Sequence, residues 1–503
     1  MLPAMIGKLV MVDIPGTTLD SGTRAHLERY RPGGVILFRK NIESLEQTRD
    51  LIADLRSLLG EDLLVAIDSE GGGVWRMNFL PHAPSAASLG AGDSEQTAFD
   101  VGQAVARGLR SMGFNWNFAP VLDVNNNPLN PVISDRSYGE DPRHVARIGA
   151  AWARGLMRGG VAACAKHFPG HGDTALDSHH ALPVVDKGLE VLEGTEFLPF
   201  KETLSLMPSI MTAHIVYPVL DTLPATLSRR ILTGLLRESW GYEGVIVTDS
   251  MGMAAIDANW GRGEAAVLSV LAGSDMIEAL GREASQVATF QALETAEREG
   301  RIARDQIAQS VQRLRALVSD YPSATLEYTS AEQDADRALM QRAWCDGIVA
   351  VSDPVLPAPG AAVTLVAARE VPGENVSELG ISGERLANAL EGVYRVTPIL
   401  FDADAPLEVL PEVRAAQTRG DTIVFATTTR RRLSDAVRQL ALEIRPQLHL
   451  ALWNAYNVSD VPAPALVTFG YRPEAIEALL EVLRGAPVTA RAPLMLRENA
   501  SPV

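Results

Sequence analysis

A stretch of fourteen residues, 166–179, holds three histidines, two aspartates and one lysine, with glycines and a proline between them. Charged groups are seldom buried without partners, and turn-rich polar clusters lie mostly on loops, where active sites are often built. The Asp-x-His spacing of Asp177 and His179 allows a carboxylate to reach and tune an imidazole, which is chemistry for moving protons. We therefore interpret this segment as half of an active site and expect an acidic residue elsewhere in the chain to supply the other half.

The same side chains include the ligand types that zinc and manganese prefer, so a metal hydrolase is an alternative. The candidate ligands are His167, His171, Asp173, Asp177, His179 and His180. No His-x-His follows the first predicted strand, however, and no His-Glu-x-x-His motif occurs in the sequence. We therefore expect no metal and no other cofactor.

The elements that must position these residues alternate between short apolar runs and longer amphipathic segments, the pattern of repeated strand–helix units. The predicted strands are residues 8–13, 34–38, 64–67, 116–120, 162–165, 210–212, 245–247 and 275–277. Helical patterns lie between most of them, as over residues 44–59 and 142–158. Eight such strands predict a (β/α)8 TIM-type barrel over residues 1–320. A doubly wound open sheet is the alternative, which the lack of Gly-x-Gly-x-x-Gly after the first strand disfavours.

A second α/β pattern follows the barrel, after a linker predicted at residues 321–335. Its predicted strands are residues 348–351, 363–367, 396–401, 422–426, 448–452 and 465–469. Residues 336–503 are therefore expected to form a second, smaller α/β sandwich domain, which keeps the whole chain in the α/β class. No catalytic cluster occurs in its sequence, so the role of this domain stays open.

The composition limits the partners of the chain. A formal net charge of −17 argues against nucleic acid and against an anionic membrane. The two cysteines, Cys164 and Cys345, suggest no disulfide framework and fit a reducing compartment. The first residues show no basic and apolar leader, and no apolar run reaches the ~18 residues that span a bilayer. We expect a cytoplasmic monomer or homodimer whose partner is a small carbohydrate or muropeptide substrate.

Polar residues recur just after the ends of five consecutive predicted strands, from the third to the seventh. In chain order they are Asp68, Arg76, Asp123, Asp135, Arg136, Lys166, His167, His214 and Asp249. In a barrel, chemistry takes place at the carboxyl ends of the strands, where these residues would meet. The sequence therefore predicts one site at the mouth of the barrel.

Several of these residues also have a structural interpretation, and the sequence leaves both open. Asp68 and Asp249 could each cap a following helix, and Arg136 could belong to a structural ion pair. Residues 123–128 are interpreted as an Asx-rich turn, and His214 as a hydrogen-bonded core histidine. The arginine run at residues 430–432 is expected on a solvated face.

The run Lys166-His-Phe-Pro-Gly-His-Gly-Asp-Thr174, followed by Asp177-Ser-His179 and Leu182-Pro183, resembles the signature of glycoside hydrolase family 3. It is most similar to the bacterial β-N-acetylhexosaminidases of peptidoglycan recycling, because the β-glucosidases of the family lack the Asp-Ser-His element. The resemblance covers residues 1–320 closely and continues more loosely beyond them. Gly73 departs from the pattern, since relatives often carry arginine there.

The resemblance implies a role for each matching residue. Asp249 would be the nucleophile, His179 the general acid/base and Asp177 its partner. The residues implied to hold the sugar are Asp68, Arg76, Arg136, Lys166 and His167. The implied reaction is retaining hydrolysis of terminal non-reducing β-linked N-acetylglucosamine, from peptidoglycan fragments, through a covalent glycosyl-enzyme. A β-N-acetylglucosaminide phosphorylase or a β-glucosidase on the same scaffold is an alternative, as is a non-catalytic sugar-binding protein.

Overall fold

Eight short parallel strands form the first sheet in the computed structural model, which describes residues 3–174, 182–373, 377 and 379–496. The strands are β1 Val10–Asp13, β2 Gly34–Ile36, β3 Leu64–Ile67, β4 Trp116–Asn117, β5 Ala162–Phe168, β6 Ser209–Thr212, β7 Val245–Val247 and β8 Ile277–Glu278. β1 pairs with both β2 and β8, and an isolated parallel bridge joins Val247 to Met276. The sheet is therefore a nearly closed barrel, as the sequence predicted.

Twelve α-helices accompany these strands within the described residues. They are α1 Pro3–Gly7, α2 Ser21–Tyr30, α3 Leu45–Leu59, α4 Ala86–Gly92, α5 Glu95–Arg110, α6 Pro142–Arg158, α7 Leu189–Gly194, α8 Leu198–Thr203, α9 Ala254–Trp260, α10 Arg262–Ala272, α11 Glu283–Arg298 and α12 Arg304–Asp320. A π-helical segment, Arg230–Ser239, lies between β6 and β7. α6 begins where Asp141 accepts hydrogen bonds from two backbone amides and Pro142 fills the first turn. None of the described helices is both long and apolar enough to cross a membrane.

Successive residues of each barrel strand point to opposite faces, and this alternation decides which side chains reach the mouth. In β3, Leu64 and Ala66 belong to the apolar cluster inside the barrel, whereas Val65 and Ile67 pack outward against the helices. Asp68 comes two residues after Ala66, so its side chain points to the same inner side as Leu64 and Ala66. By the same alternation, Lys166 lies on the inner side of β5, Asp249 on the inner side after β7, and Glu278 on the inner side of β8.

The second sheet contains six strands in the order β11-β10-β12-β13-β14-β9, of which only β9 runs antiparallel. Its elements are α13 Ser330–Asp346, β9 Val349–Val351, β10 Ala362–Ala368, α14 Gly383–Leu390, β11 Arg395–Phe401, α15 Leu410–Arg419, β12 Thr422–Thr427, α16 Asp435–Ile444, β13 Leu448–Ala451, β14 Ala465–Val467 and α17 Pro473–Leu483. α13 begins inside the predicted linker at residues 321–335. Ala87 and Ala91 of α4 pack against Tyr456 and Phe469, so the second sheet adjoins the barrel.

Candidate active site

A cavity of about 650 Å³ opens at the carboxyl ends of the barrel strands. Six of the residues that the sequence predicted for the site line it: Asp68, Arg76, Arg136, Lys166, His167 and Asp249. Asp177 and His179, the predicted proton-transfer pair, lie outside the described residues. Of the catalytic and sugar-binding residues that the resemblance implied, the structure brings together all those that it describes.

A chain of ion pairs crosses the floor of this cavity. Lys166 Nζ lies 2.7 Å from Asp68 Oδ1 and 2.7 Å from Glu70 Oε1, and Arg76 Nη2 lies 3.7 Å from Asp68 Oδ2. Arg136 donates two parallel hydrogen bonds of 2.8 Å to the Glu70 carboxylate. Burial opposes ionisation of Glu70, but Arg136 and Lys166 outweigh it and hold the pKa of Glu70 well below its usual range. Glu70 was missed from the sequence, although it lies two residues after Asp68.

His167 is held between a carboxylate and a guanidinium. Its Nδ1 lies 2.7 Å from Asp123 Oδ2, and its Nε2 lies 3.3 Å from Arg136 Nη2. Arginine can only donate, so this arrangement assigns the proton to Nδ1 and the lone pair to Nε2. Asp123 also accepts from the backbone amides of His167 and His171, at 3.1 and 2.6 Å. The imidazole is therefore fixed in both orientation and tautomer.

The interpretation of residues 123–128 as an Asx-rich turn was wrong for Asp123 and right for Asn127. Asp123 is fully buried, and despite that burial its contacts with His167 and His171 hold its pKa below the usual value. Asn127 Oδ1 accepts from the Leu129 amide at 2.9 Å, which is a local turn contact. The partners of Asp123 come from β5, so the local sequence around it could not reveal them.

Neither aspartate that could have capped a helix does so. The residue that caps α9 after β7 is Met253, and Asp249 Oδ1 instead accepts from the adjacent Ser250 amide at 2.7 Å. The helix that follows β3 is capped by Ser85, whose side chain accepts from the Ser88 amide. Asp68 and Asp249 are therefore polar groups of the cavity wall rather than helix caps.

A second carboxyl group, Glu278 of β8, lines the cavity near Asp249 and was not predicted. Its side chain is buried, and burial followed by the neighbouring charges of Asp249 and Asp68 raises the pKa of Glu278 well above its ordinary value. The two buried glutamates of this cavity thus have opposite pKa shifts, because cations surround Glu70 and carboxylates surround Glu278.

Two other predictions have clear outcomes. His214 is a hydrogen-bonded core histidine as expected, since its two ring nitrogens lie 2.8 Å from Thr226 Oγ1 and 3.0 Å from the Ser250 carbonyl oxygen. The solvated face predicted for residues 430–432 is wrong for Arg430, which is buried with its guanidinium 5.2 Å from the centre of the Trp453 ring. The ring that covers Arg430 is distant in sequence, and cation–π packing of this kind leaves no local signal.

Two described residues of the second half of the chain, Trp453 and Ser377, connect it to the site. Trp453 Nε1 donates to Asp135 Oδ1 at 2.9 Å, and Asp135 directly precedes Arg136. Ser377, which accepts a hydrogen bond from Arg430, lines the cavity itself. In the parts of the chain that the structure describes, no group of three histidine, cysteine or acidic side chains is arranged to hold a metal ion.

Comparison with known sequences places the chain among carbohydrate enzymes. The family model "glycosyl hydrolase family 3 N terminal domain" matches residues 1–317. The chain is 38% identical over 284 residues to the beta-hexosaminidase A of Pseudoalteromonas piscicida, a match that covers 52% of this chain and 48% of that protein. The chain thus spans less than half the length of that relative.

Comparison with solved structures extends the likeness to the second sheet. The glycoside hydrolase family 3 beta-N-acetylglucosaminidase from Paenibacillus sp. str. FPU-7 superimposes with a TM-score of 0.90 at 32% identity, with 99% of each chain covered. Beta-glucoside phosphorylase BglX superimposes with a TM-score of 0.82 at 21% identity, over 99% of this chain and 94% of that one, and shares the fold. Because the family model matches more than half of the chain, and a solved structure at 32% identity covers 99% of it, this chain belongs to glycosyl hydrolase family 3.

Proposed function

We propose that the chain is a retaining β-N-acetylhexosaminidase that hydrolyses terminal, non-reducing β-linked N-acetylglucosamine. Two relatives support this substrate, since one is named a beta-hexosaminidase and the other a beta-N-acetylglucosaminidase. Peptidoglycan fragments as the source of the substrate, and a cytoplasmic location, are further parts of the proposal. They derive from the sequence resemblance and from the two free cysteines, Cys164 and Cys345.

The observation that carries the proposal is that Asp249 shares one cavity with the ion-pair chain of Asp68, Lys166, Glu70 and Arg136. A retaining glycosidase needs a carboxylate beneath the anomeric carbon of the sugar. It also needs fixed polar groups that hold the ring in position for attack. Asp249 supplies the first requirement, and the ion-pair chain supplies the second.

In the first step, a carboxylate oxygen of Asp249 bonds to the anomeric carbon while the glycosidic bond breaks. The bonding electron pair goes to the leaving oxygen, and His179 gives that oxygen its proton. An unperturbed histidine has a pKa of ~6.5, so both of its protonation states are accessible near neutral pH. Asp177 would orient the imidazole and favour its charged form.

In the second step, neutral His179 takes a proton from water, and the water oxygen bonds to the anomeric carbon and releases Asp249. Two displacements at the same carbon return the original β configuration. During both steps Lys166 and Arg136 are held by carboxylates, so their donors need no reorganisation when the sugar arrives. A sugar that lacks one hydroxyl would leave a buried polar group without its partner, which is a source of specificity.

The test compares two aryl glycosides that differ only at the 2-position, the N-acetyl-β-glucosaminide and the β-glucoside. We expect the wild type to prefer the first, and Asp249→Asn to lose on the order of 10³-fold or more in kcat. His179→Ala should lose about 10²–10⁴-fold when the leaving group is poor. Asp54→Asn is the matched control, because Asp54 is exposed on α3 and pairs with Arg24.

Two results would count against the proposal. A strong preference for the glucoside would overturn the substrate, and full activity of Asp249→Asn would overturn the nucleophile. Product analysis by NMR gives a third criterion, since an initial α-product would exclude a retaining mechanism.

A phosphorylase is a second candidate, favoured by a cation at the rim of the cavity. The guanidinium of Arg39 lines the cavity and donates to the backbone oxygen of Arg76 at 3.2 Å. It also lies 2.7 Å from the amide oxygen of Asn78 when that amide is oriented to accept, so its hydrogen-bond partners among the described residues are neutral. Rates and products with and without inorganic phosphate distinguish this candidate, which requires a sugar 1-phosphate product.

A further inference from the structure

Glu278 is attached by its backbone to both sides of the segment that carries Asp249. Its amide donates to Thr248 Oγ1 at 3.0 Å, and its carbonyl accepts from the Met251 amide at 3.0 Å. Thr248 and Met251 flank Asp249 on either side. The alternation along β8 turns the side chain of Glu278 into the same cavity that Asp249 lines.

The carboxyl group of Glu278 is buried in surroundings that do not suit an anion. The residue is 3% exposed, and its Oε1 has no hydrogen-bond partner among the described residues. An ionised carboxylate only accepts hydrogen bonds, so a buried oxygen without a donor carries a large desolvation cost. A protonated carboxyl avoids this cost and gains a donor.

The charged groups that act on Glu278 come from four other strands of the barrel. Asp249 follows β7, Asp68 follows β3, Asp13 ends β1, and Lys166 lies on β5. Lys166, the cation of this set, is already paired with Asp68 and Glu70. Burial and the adjacent carboxylates therefore raise the pKa of Glu278, which agrees with the geometry.

We propose that Glu278 is a positioning residue for the nucleophile: its carboxylic acid donates a hydrogen bond to the Asp249 carboxylate, so that the two groups together carry one negative charge. This inference rests on the proposed role of Asp249. It gives a function to the one carboxyl group of the described cavity wall that the displacement mechanism does not use.

The hydrogen bond donated by Glu278 has a different effect in each of the two chemical steps. When Asp249 attacks, its oxygen bonds to the anomeric carbon and the leaving oxygen takes the electron pair and a proton from His179. Glu278 keeps its own proton throughout. Once the ester exists, the Glu278 donor can bind the ester carbonyl oxygen. Negative charge develops there as water bonds to the anomeric carbon and the bond from that carbon to Asp249 breaks, so the donor stabilises the departing carboxylate. Deglycosylation should therefore depend on Glu278 more than glycosylation does.

The experiment follows kcat against pH for an aryl N-acetylglucosaminide whose phenol leaves readily, so that glycosylation is fast and kcat reports deglycosylation. In the wild type we expect kcat to fall at alkaline pH, because Glu278 loses its proton and then repels the negative charge that develops on Asp249. Glu278→Gln keeps a donor but cannot ionise, so its alkaline limb should shift by at least about one pH unit or vanish. Its kcat at neutral pH should stay within about 10-fold of the wild type.

Two further variants separate the hydrogen bond from packing. Glu278→Met fills the same space without a donor and should lower kcat about 10- to 100-fold. KM should fall with kcat, because slower deglycosylation lets the glycosyl-enzyme accumulate. Glu474→Gln is the control, because burial also raises the pKa of Glu474 but that residue lies beside His82, away from the cavity. The control should keep the wild-type pH profile. A rise in KM with no change in kcat for Glu278→Met would mean that Glu278 only contacts the sugar, which overturns the proposal.

An infrared difference spectrum between the wild type and Glu278→Gln at neutral pH reads the proton directly. We expect the carbonyl stretch of a protonated carboxylic acid in the wild type and its loss in the variant. Absence of that band, or an unchanged alkaline limb in Glu278→Gln, would overturn the inference. If the enzyme failed to cleave N-acetylglucosaminides, the proposed function would fall while the infrared band still reported the state of Glu278.

Discussion

His167 of the barrel and His449 of the second sheet are both buried histidines on parallel strands, yet their surroundings differ completely. His167 lies between Asp123 and Arg136 at the edge of the cavity. Among the described residues, the hydrogen-bond partner of the His449 ring is a hydroxyl, Thr427 Oγ1, at 2.9 Å from Nε2, and burial lowers the pKa of His449 to about 3. The first is a polar group of the cavity wall with charged partners, and the second is a neutral part of a core.

The difference follows from what each sheet does with the carboxyl ends of its strands. The barrel closes, so side chains from β3, β5, β7 and β8 converge on one cavity and can pair across it. The second sheet is open, and residues after β13 and β14 contact the barrel instead. Trp453 donates to Asp135, and the Phe469 carbonyl accepts from Ser85 Oγ at 2.8 Å. Convergence of strand ends, rather than the presence of polar residues, is what distinguishes the two regions.

The largest effect on stability is expected from Glu70→Gln, which removes the buried anion that joins Lys166 to Arg136. Breaking a buried ion pair from one side costs roughly 3–5 kcal/mol, because the remaining charges lose their partner. Because the folded pKa of Glu70 is depressed, its stabilisation is complete above the unfolded value of ~4.3 and is lost as pH falls through the folded pKa. Urea unfolding at several pH values measures this difference, and kcat/KM should fall as well.

Asp336→Asn is the matched control for Glu70→Gln. Asp336 is also buried and bound by an arginine, with Arg107 Nε 3.0 Å from its Oδ2, but it lies on α13 away from the cavity. We expect a loss of stability with little change in kcat/KM. If the two variants lost activity to the same extent, the ion-pair chain would have no role beyond stability.

A smaller effect on stability, with the opposite dependence on pH, is expected from Glu278→Gln. Glu278 has a raised pKa, so above the unfolded value of ~4.3 the unfolded chain releases a proton that the folded protein keeps. Wild-type stability relative to the variant should fall by about 1.4 kcal/mol per pH unit while the folded group stays protonated. Thermal unfolding of both proteins across this range gives the slope. A flat difference would show that Glu278 titrates normally.

The strands were largely predictable because apolar runs mark strands that are buried on both faces. The residues at which the strands end were less predictable. β5 was predicted to stop at residue 165, but the ladder continues through Lys166, whose amide donates to the Pro120 carbonyl at 3.1 Å. β4 was predicted to reach Pro120 but is only two residues long. A polar residue such as Lys166 ends the apolar pattern of the sequence although the hydrogen bonds of the strand continue. Proline has the opposite effect, because Pro120 extends the apolar pattern but has no amide to donate to a neighbouring strand.

Site residues were predictable where they directly follow a predicted strand, and not where their role depends on contacts with residues of other strands. Asp68, Lys166 and Asp249 each follow the end of a predicted strand, so local position sufficed. Asp123 and Glu70 are partners of residues on other strands, and the pairing register that brings them together is not written in their local sequence. Glu278 offered one signal, an acidic residue in phase with Met276 on the inner face of β8, but the predicted strand stopped one residue before it.

The smallest effect we predict concerns Trp453, the residue by which the second sheet contacts the turn that carries Arg136. Trp453→Phe removes the donor to Asp135, a buried carboxyl whose pKa burial already raises, and should cost about 1–3 kcal/mol of stability. Because Asp135 precedes Arg136, the variant should also raise KM, by up to about 10-fold if about 1 kcal/mol of sugar binding is lost. Trp344→Phe is the control, since Trp344 Nε1 donates to the His82 carbonyl at 3.2 Å, another contact between the two halves. It should lose stability without a change in KM. Equal changes of KM in both variants would mean that docking as a whole, and not the contact with Asp135, supports the site.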